Sequence, residues 1–265
     1  MLSVISTDEL RRISESIKEG LNELEVSLDL GLSKKKIRLE EKGFFVDNNL
    51  IEIPKIRIGD KSCYLIKGKK LRKVQFFSQE IYKLIPTKHR PILQISGTSM
   101  HKKEFVERIN KDKLKGIVLD SGTGLGYSAI TASKTADSVI TIENDENVIK
   151  IARLNPYSMG LFENKNIRLI MGNLTEEIKK FKDSEFNFII LDFGNKKSFG
   201  EVFSLENYKE AYRILRNNGK LYNYLPKHQI KRGRDFISEV SRRIKEAGFS
   251  KIEKNSYDSY VVAGK

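Results

Sequence analysis

Residues 116–129 read GIVLDSGTGLGYSA. A short apolar run closes on Asp120, and glycines follow at positions 122, 124 and 126 before a helical pattern starts near Tyr127. Alternate glycines let the backbone turn sharply and let a ligand approach where a β-carbon would collide. The next apolar run, SVITIE (138–143), ends on Glu143, 21 residues after Gly122. That spacing is the distance from a glycine loop to the end of the following strand in a nucleotide-binding βαβ unit. There a carboxylate accepts hydrogen bonds from ribose hydroxyls. The plainer alternative for Glu143 is a helix cap at a strand end. The fingerprint GxGxxG would require glycine at 127, where this chain has Tyr127, so a dinucleotide site is disfavoured.

Working outward, the chain from about residue 102 to its end alternates strand and helix. After SVITIE come ENVIKIARL, IRLIMG (167–172), LTEEIKKF, FNFIILD (186–192), ENYKEAYRIL, KLYNYL (220–225) and DFISEVSRRIKEAG. Near-continuous apolar strands between amphipathic helices predict a parallel sheet covered on both faces. The last two runs, SKIEKN and YVVAGK, are separated only by SYDS, too short for a crossover helix, so they are expected to pair antiparallel. The first 101 residues have another texture. Ser6-Thr7-Asp8-Glu9 reads as a capping box, and Leu10, Ile13, Ile17, Leu21 and Leu24 recur at helical spacing. Short strands follow: VSLDLG, KKIRLE, GFFVD, LIEIPKIRI, CYLIKGKKLRKVQFF, YKLIPT and PILQISG, with a hairpin turn expected at Lys67-Gly68-Lys69-Lys70. The expected organisation is a helix-plus-β domain over 1–101 and an α/β domain over 102–265.

The chain carries 49 basic and 35 acidic residues, a net charge of +14. Residues 61–90 hold nine Lys and Arg against the single acid Glu80. This balance suits a polyanionic partner, while a lysine-rich solvated surface is the bland alternative. A lone cysteine, Cys63, and three scattered histidines, His89, His101 and His228, give no disulfide and no zinc cluster, so no metal is expected. Apolar runs are too short to span a membrane and the start lacks a signal-peptide pattern, so a cytoplasmic protein is expected.

The GxGxG loop resembles that of class I S-adenosylmethionine-dependent methyltransferases. More of the chain resembles a group of predicted archaeal methyltransferases, through VSLDLGLSKKKIRLE (26–40), KLRKVQFFS (70–78), YKLIPT (82–87), ISGTSMHK (95–102), LDSGTGLGYSA (119–129), ARLNPYS (152–158) and RGRDF (232–236). The resemblance implies a Rossmann-like sheet of seven strands, mostly parallel with a terminal antiparallel hairpin, and S-adenosyl-L-methionine as cofactor. It implies that Asp120, Ser121, Gly122, Gly124 and Gly126 surround the methionyl end of the cofactor. Glu143 would hold the ribose, and Asn173 with Leu174 would face the adenine; many members have aspartate at the position of Asn173.

Asp192 ends the fourth strand and is expected at the carboxyl edge of the sheet, as the residue that orients or deprotonates the methyl acceptor; a capping or cofactor-facing carboxylate is the alternative. In amino-group methyltransferases an Asp-Pro-Pro run often stands here. This chain has Asp192-Phe193-Gly194-Asn195, which leaves the acceptor atom open while Phe193 offers a ring for stacking. The same tripeptide, Asp192-Phe193-Gly194, is a kinase signature, but no HRD loop exists in the sequence and the kinase reading fails. Lys227, His228, Lys231, Arg232 and Arg234 crowd the loop after the fifth strand and suit a phosphate-bearing substrate. The segment Ser96–His101 reads either as a linker or as a strap over the cofactor. RNA, tRNA or rRNA, is the expected partner. A protein or small-molecule acceptor, an aminopropyltransferase and a non-catalytic RNA-binding module are the competing readings, and oligomeric state is left open.

Overall fold

The computed structural model describes residues 2–100, 103–192, 199–225 and 235–265. The chain forms two compact units, Met1–His101 with Asn147–Met159, and Lys102–Glu146 with Gly160–Lys265.

The first unit begins with β1 (Val4–Ser6) and α1 (Thr7–Lys18). Ser6 caps α1, its hydroxyl accepting from the Glu9 N–H at 3.1 Å, as the capping-box pattern predicts. The helix is shorter than its apolar spacing suggested. Gly20 takes a left-handed φ of 80° two residues beyond its end, Leu21 is exposed, and Leu24 lies in β2 (Glu23–Val26). β3 (Lys35–Glu40), β4 (Gly43–Val46) and β5 (Asn49–Glu52) complete an antiparallel sheet of order β2-β3-β4-β5. Only Val26 of VSLDLG belongs to a strand. Beyond it Asp29 accepts from Ser27 Oγ at 2.8 Å, from the Ser33 N–H at 2.9 Å and from the Ser33 hydroxyl, holding a turn in which Leu30 and Gly31 have positive φ. β6 (Cys63–Lys67) and β7 (Lys70–Lys73) form the expected hairpin, with Lys67 opposite Lys70. They join β1 in a sheet of order β1-β6-β7. β8 (Gln75–Phe77), β9 (Ile81–Ile85), β10 (Ile92–Ile95) and β11 (Thr98–Met100) form the third sheet. The described part of the Ser96–His101 segment is therefore regular structure rather than an irregular linker. It is a hairpin strand, turned by Ser96 and Gly97 at φ 44° and 84°. The unit's core gathers Ile5, Leu10, Ile13, Ile37, Phe44 and Ile51 between α1 and the strands.

In the second unit, α2 (Lys103–Asp112) precedes β12 (Ile117–Ser121), α3 (Tyr127–Ala132) and β13 (Ser138–Glu143). α4 (Glu146–Arg153) falls mostly in the first unit; Tyr157, just beyond it, donates to the Leu30 carbonyl there at 3.4 Å. α5 (Met159–Glu163), β14 (Ile167–Met171), α6 (Leu174–Glu177), β15 (Phe186–Leu191), α7 (Phe199–Val202), α8 (Leu205–Ile214), β16 (Leu215–Tyr224), α9 (Phe236–Glu246), β17 (Ser250–Asn255) and β18 (Tyr260–Gly264) follow. The seven strands order as β14-β13-β12-β15-β16-β18-β17. Pairs within β14 to β16 are parallel, and β18 is antiparallel to both of its neighbours, which bears out the terminal hairpin. The order reverses between β12 and β15, so the crevice at the carboxyl ends of those strands is the place where such sheets bind ligands.

α2 is locked to this sheet by one arginine. Arg108 donates to both Glu253 carboxylate oxygens (2.6 and 2.9 Å) and to Asp112 (2.8 Å), and Tyr222 donates to Asp112 at 2.7 Å. The Arg108 bond holds the Glu253 carboxyl below its ordinary range. Burial alone would raise Asp112, but the bonds from Arg108 and Tyr222 outweigh it and keep that carboxyl low as well. Carboxyls depressed in the folded state stabilise at neutral pH and lose that contribution as acid protonates them. Arg108→Ala is expected to lower stability by about 1–2 kcal/mol at pH 7. The difference from wild type should shrink below about pH 4, measured by denaturant unfolding across pH.

Candidate functional site

The glycine loop has the backbone its sequence demands. Gly122, Gly124 and Gly126 all have positive φ, 73°, 55° and 78°. At Gly126 a β-carbon would also stand 2.9 Å from Leu161 Cδ2. A β-carbon on Gly124 would meet only the Gly122 carbonyl oxygen, at 3.7 Å, so space beside this peptide is open to a ligand. The loop folds against the end of β13, where the Gly122 and Thr123 N–H groups both donate to the Ile142 carbonyl, at 3.0 and 3.3 Å.

Two carboxylates fix the loop from below. Glu143 Oε2 accepts the Gly124 N–H at 3.0 Å, and Oε1 accepts those of Asn144 and Asp145 at 3.0 and 3.1 Å. Burial pushes the Glu143 carboxyl up; the three N–H donors oppose this, and the nearby Asp145 charge adds to it. A carboxylate has about four acceptor positions, so about one remains for a ligand hydroxyl. Glu143 is thus a backbone clamp as well as a ribose candidate. Asp120 is fully buried, and its Oδ2 accepts from the Thr141 hydroxyl at 2.6 Å. Thr141 and Thr123 lie oxygen to oxygen at 2.6 Å; because the Thr141 proton goes to Asp120, Thr123 is the donor. Asp120 therefore anchors the loop through Thr141 and Thr123. The fully buried Ser121 likewise sends its hydroxyl to the Ile190 carbonyl (3.2 Å), which leaves its backbone to face a ligand at the methionyl end.

Asn173 stands just beyond the end of β14. Its side-chain oxygen caps α6, accepting from both the N–H and the hydroxyl of Thr175 at 3.1 Å, so this acceptor is engaged within its own turn. The Leu174 side chain lies in the core, leaving only its backbone toward a ligand. Asp192 does sit at the switch point. It follows β15 directly, is 8% exposed, and its N–H donates to the Ser121 carbonyl at 3.1 Å, joining the acidic strand end to the start of the glycine loop. Phe193, Lys227, His228, Lys231, Arg232 and Arg234 lie outside the described residues, as does His101. On the neighbouring strand, Asn223 is in register with Leu191 and fully buried, and it accepts from Tyr208 Oη at 2.5 Å. This pair, like Thr141 and Thr123, was missed in the sequence, although a threonine inside SVITIE and an asparagine inside KLYNYL are polar exceptions in apolar runs. Burial pushes the Cys63 thiol up, which makes it a poor nucleophile. Among the described residues no group of three His, Cys, Asp or Glu is placed to hold a metal, and no helix is long and apolar enough to cross a membrane.

The Methanocaldococcus jannaschii protein MJ1233 is 34% identical over 273 residues, covering 95% of this chain and 94% of that protein. The chain belongs to the family of MJ1233. No family model matches the sequence. Partial matches reach the ribosomal RNA small subunit methyltransferase A of Wigglesworthia glossinidia brevipalpis, 28% identical over 52% of this chain and 58% of that one. A polyamine aminopropyltransferase of Clostridium botulinum is 26% identical over 40% of this chain and 38% of its own. Among solved structures, spermidine synthase from Thermotoga maritima superposes with a TM-score of 0.57 at 21% identity, covering 72% of each chain. The fold is of the methyltransferase and spermidine synthase type.

Thr141→Val keeps the shape of the side chain and removes the hydroxyl that joins Thr123 to Asp120. The expected cost is about 1–3 kcal/mol, and Thr141→Ser should recover most of it; paired chemical denaturation curves measure both.

Proposed function

We propose that this chain is an S-adenosyl-L-methionine-dependent methyltransferase acting on RNA. The observation that carries the reading is the open, left-handed glycine loop held by a buried carboxylate at the end of the adjacent strand. Gly122 and Gly124 would lie along the methionyl part of the cofactor, and Glu143 would accept a ribose hydroxyl with its remaining acceptor position. The bound cofactor supplies a methyl group activated on a positively charged sulfur, so the protein's task is alignment of an unprotonated nucleophile. Asp192, at the same sheet edge, would accept a hydrogen bond or proton from the acceptor group. RNA as the acceptor is supported by the net charge of +14 and the basic run 61–90.

Aminopropyl transfer is the second reading, favoured by the fold shared with spermidine synthase. Holding a cationic amine calls for further carboxylates beside Asp192, whereas the sequence there continues to Lys196 and Lys197. Calorimetry with S-adenosylmethionine and its decarboxylated form separates the two. We expect the former to bind more tightly; preference for the decarboxylated form, or no binding at millimolar concentration, would overturn the methyltransferase reading. Hydroxyl donors favour the charged form of Glu143, whose carboxyl is raised in the free protein, so binding should release protons and weaken as pH falls. Asp192→Ala should leave cofactor affinity within a few-fold and lower transfer of labelled methyl to cellular RNA by about 100-fold or more. Label appearing in protein rather than RNA would redirect the acceptor assignment.

A further inference from the structure

One face of the β8–β11 sheet is buried; the other is exposed at Phe77, Ile81 and Ser99 and half-buried between them. On the buried face lie Tyr82, Leu84 and Leu93. Strand alternation puts their neighbours on the other side, in register across four strands. Phe77 stands opposite Ile81; next to them runs a polar row, with Gln75 opposite Lys83, Lys83 opposite Gln94 and Gln94 opposite Ser99. Phe77 is 70% exposed and Ile81 39% exposed, an aromatic ring and an aliphatic side chain left in water beside amide, hydroxyl and ammonium groups. The strand bearing Phe77 runs directly back into the basic hairpin. Val74 links the two sheets, its N–H donating to Cys63 and its carbonyl accepting from Leu84, at 2.8 and 3.0 Å. At the hairpin, Lys67, Lys69, Lys70 and Arg72 are exposed. Lys73 is already paired with Asp60 at 2.7 Å, and the one acid in this stretch, Glu80, accepts from the Ser96 hydroxyl.

We propose that this second face is a platform for unpaired nucleotides of an RNA, a proposal that rests on the RNA-acceptor reading above. A base has a π-face whatever its identity and stacks on an exposed aromatic ring. Glutamine and serine side chains offer donors and acceptors to base edges, and the hairpin lysines run alongside to meet phosphates. Charge selects this occupant over a protein. The core of a protein interface is depleted of lysine, whereas here Lys83 occupies the centre of the polar row and no acidic side chain shares it.

The test uses the full chain and fluorescent single strands of oligouridylate and oligoadenylate about 10 nucleotides long, with a duplex RNA for comparison. Phe77→Ala should weaken single-strand binding by at least about 5-fold, with little effect on duplex binding and unchanged thermal stability. Lys83→Ala should lower the slope of affinity against salt by about 1. Ultraviolet crosslinks should map to β8–β9. If the wild-type chain binds RNA in a salt-dependent way but both variants stay within 2-fold and crosslinks fall elsewhere, the platform is overturned and the RNA reading stands. Absence of all RNA binding at low salt overturns both. Concentration-dependent self-association that Phe77→Ala abolishes would instead make this face an interface between copies and also overturn the proposal.

Discussion

A buried carboxylate that binds backbone rather than side chains governs the site. Glu143 is removed from water at the end of β13, where an unpaired charge would be prohibitive. It is tolerated because three main-chain N–H groups converge on it, one of them from Gly124 on the neighbouring βα loop. The glycine loop thus takes its position from the second strand as much as from the first. Any ligand that engages Glu143 acts on a group already bonded to the loop, so its binding and loop geometry are coupled through one side chain.

The Asp120, Thr141 and Thr123 chain does the same work from beneath the loop. Each of its groups is buried and bonded, and breaking one link strands the others in a low-dielectric interior. Around this centre the parallel strands are covered by an apolar core reaching from Leu119 to Phe249, which keeps the switch point rigid. Asp192 and Ser121 join the two central strands at that point through one backbone hydrogen bond.

The architecture of the second unit was legible because its strands are continuous apolar runs and its helices amphipathic, patterns that local chemistry enforces. The final hairpin followed from chain length alone, four residues being too few to cross over. The first unit was less legible. Its strands are short, and apolar spacing across Leu10, Ile17, Leu21 and Leu24 continued past the helix end that Gly20 imposes. The turn held by Asp29 looked like strand because its apolar neighbours alternate, and Ser96–His101 read as linker or strap because its three strand residues, Thr98–Met100, carry little periodicity.

The sequence by itself determined the glycine loop, the acids Asp120, Glu143 and Asp192 at or beside three strand ends and the order in which they meet, because backbone turns, strand periodicity and strand-end position are local properties. Tertiary structure decided what the polar residues at those strand ends do. Asp120 and Asn173 carry bonds their positions did not suggest: Thr141, distant in the chain, donates to Asp120 Oδ2, and Thr175, two residues on, donates to the Asn173 side-chain oxygen. Which side chains remain available to a ligand depends on which hydrogen bonds folding has already made, and pairing between strands is settled only when the sheet is assembled.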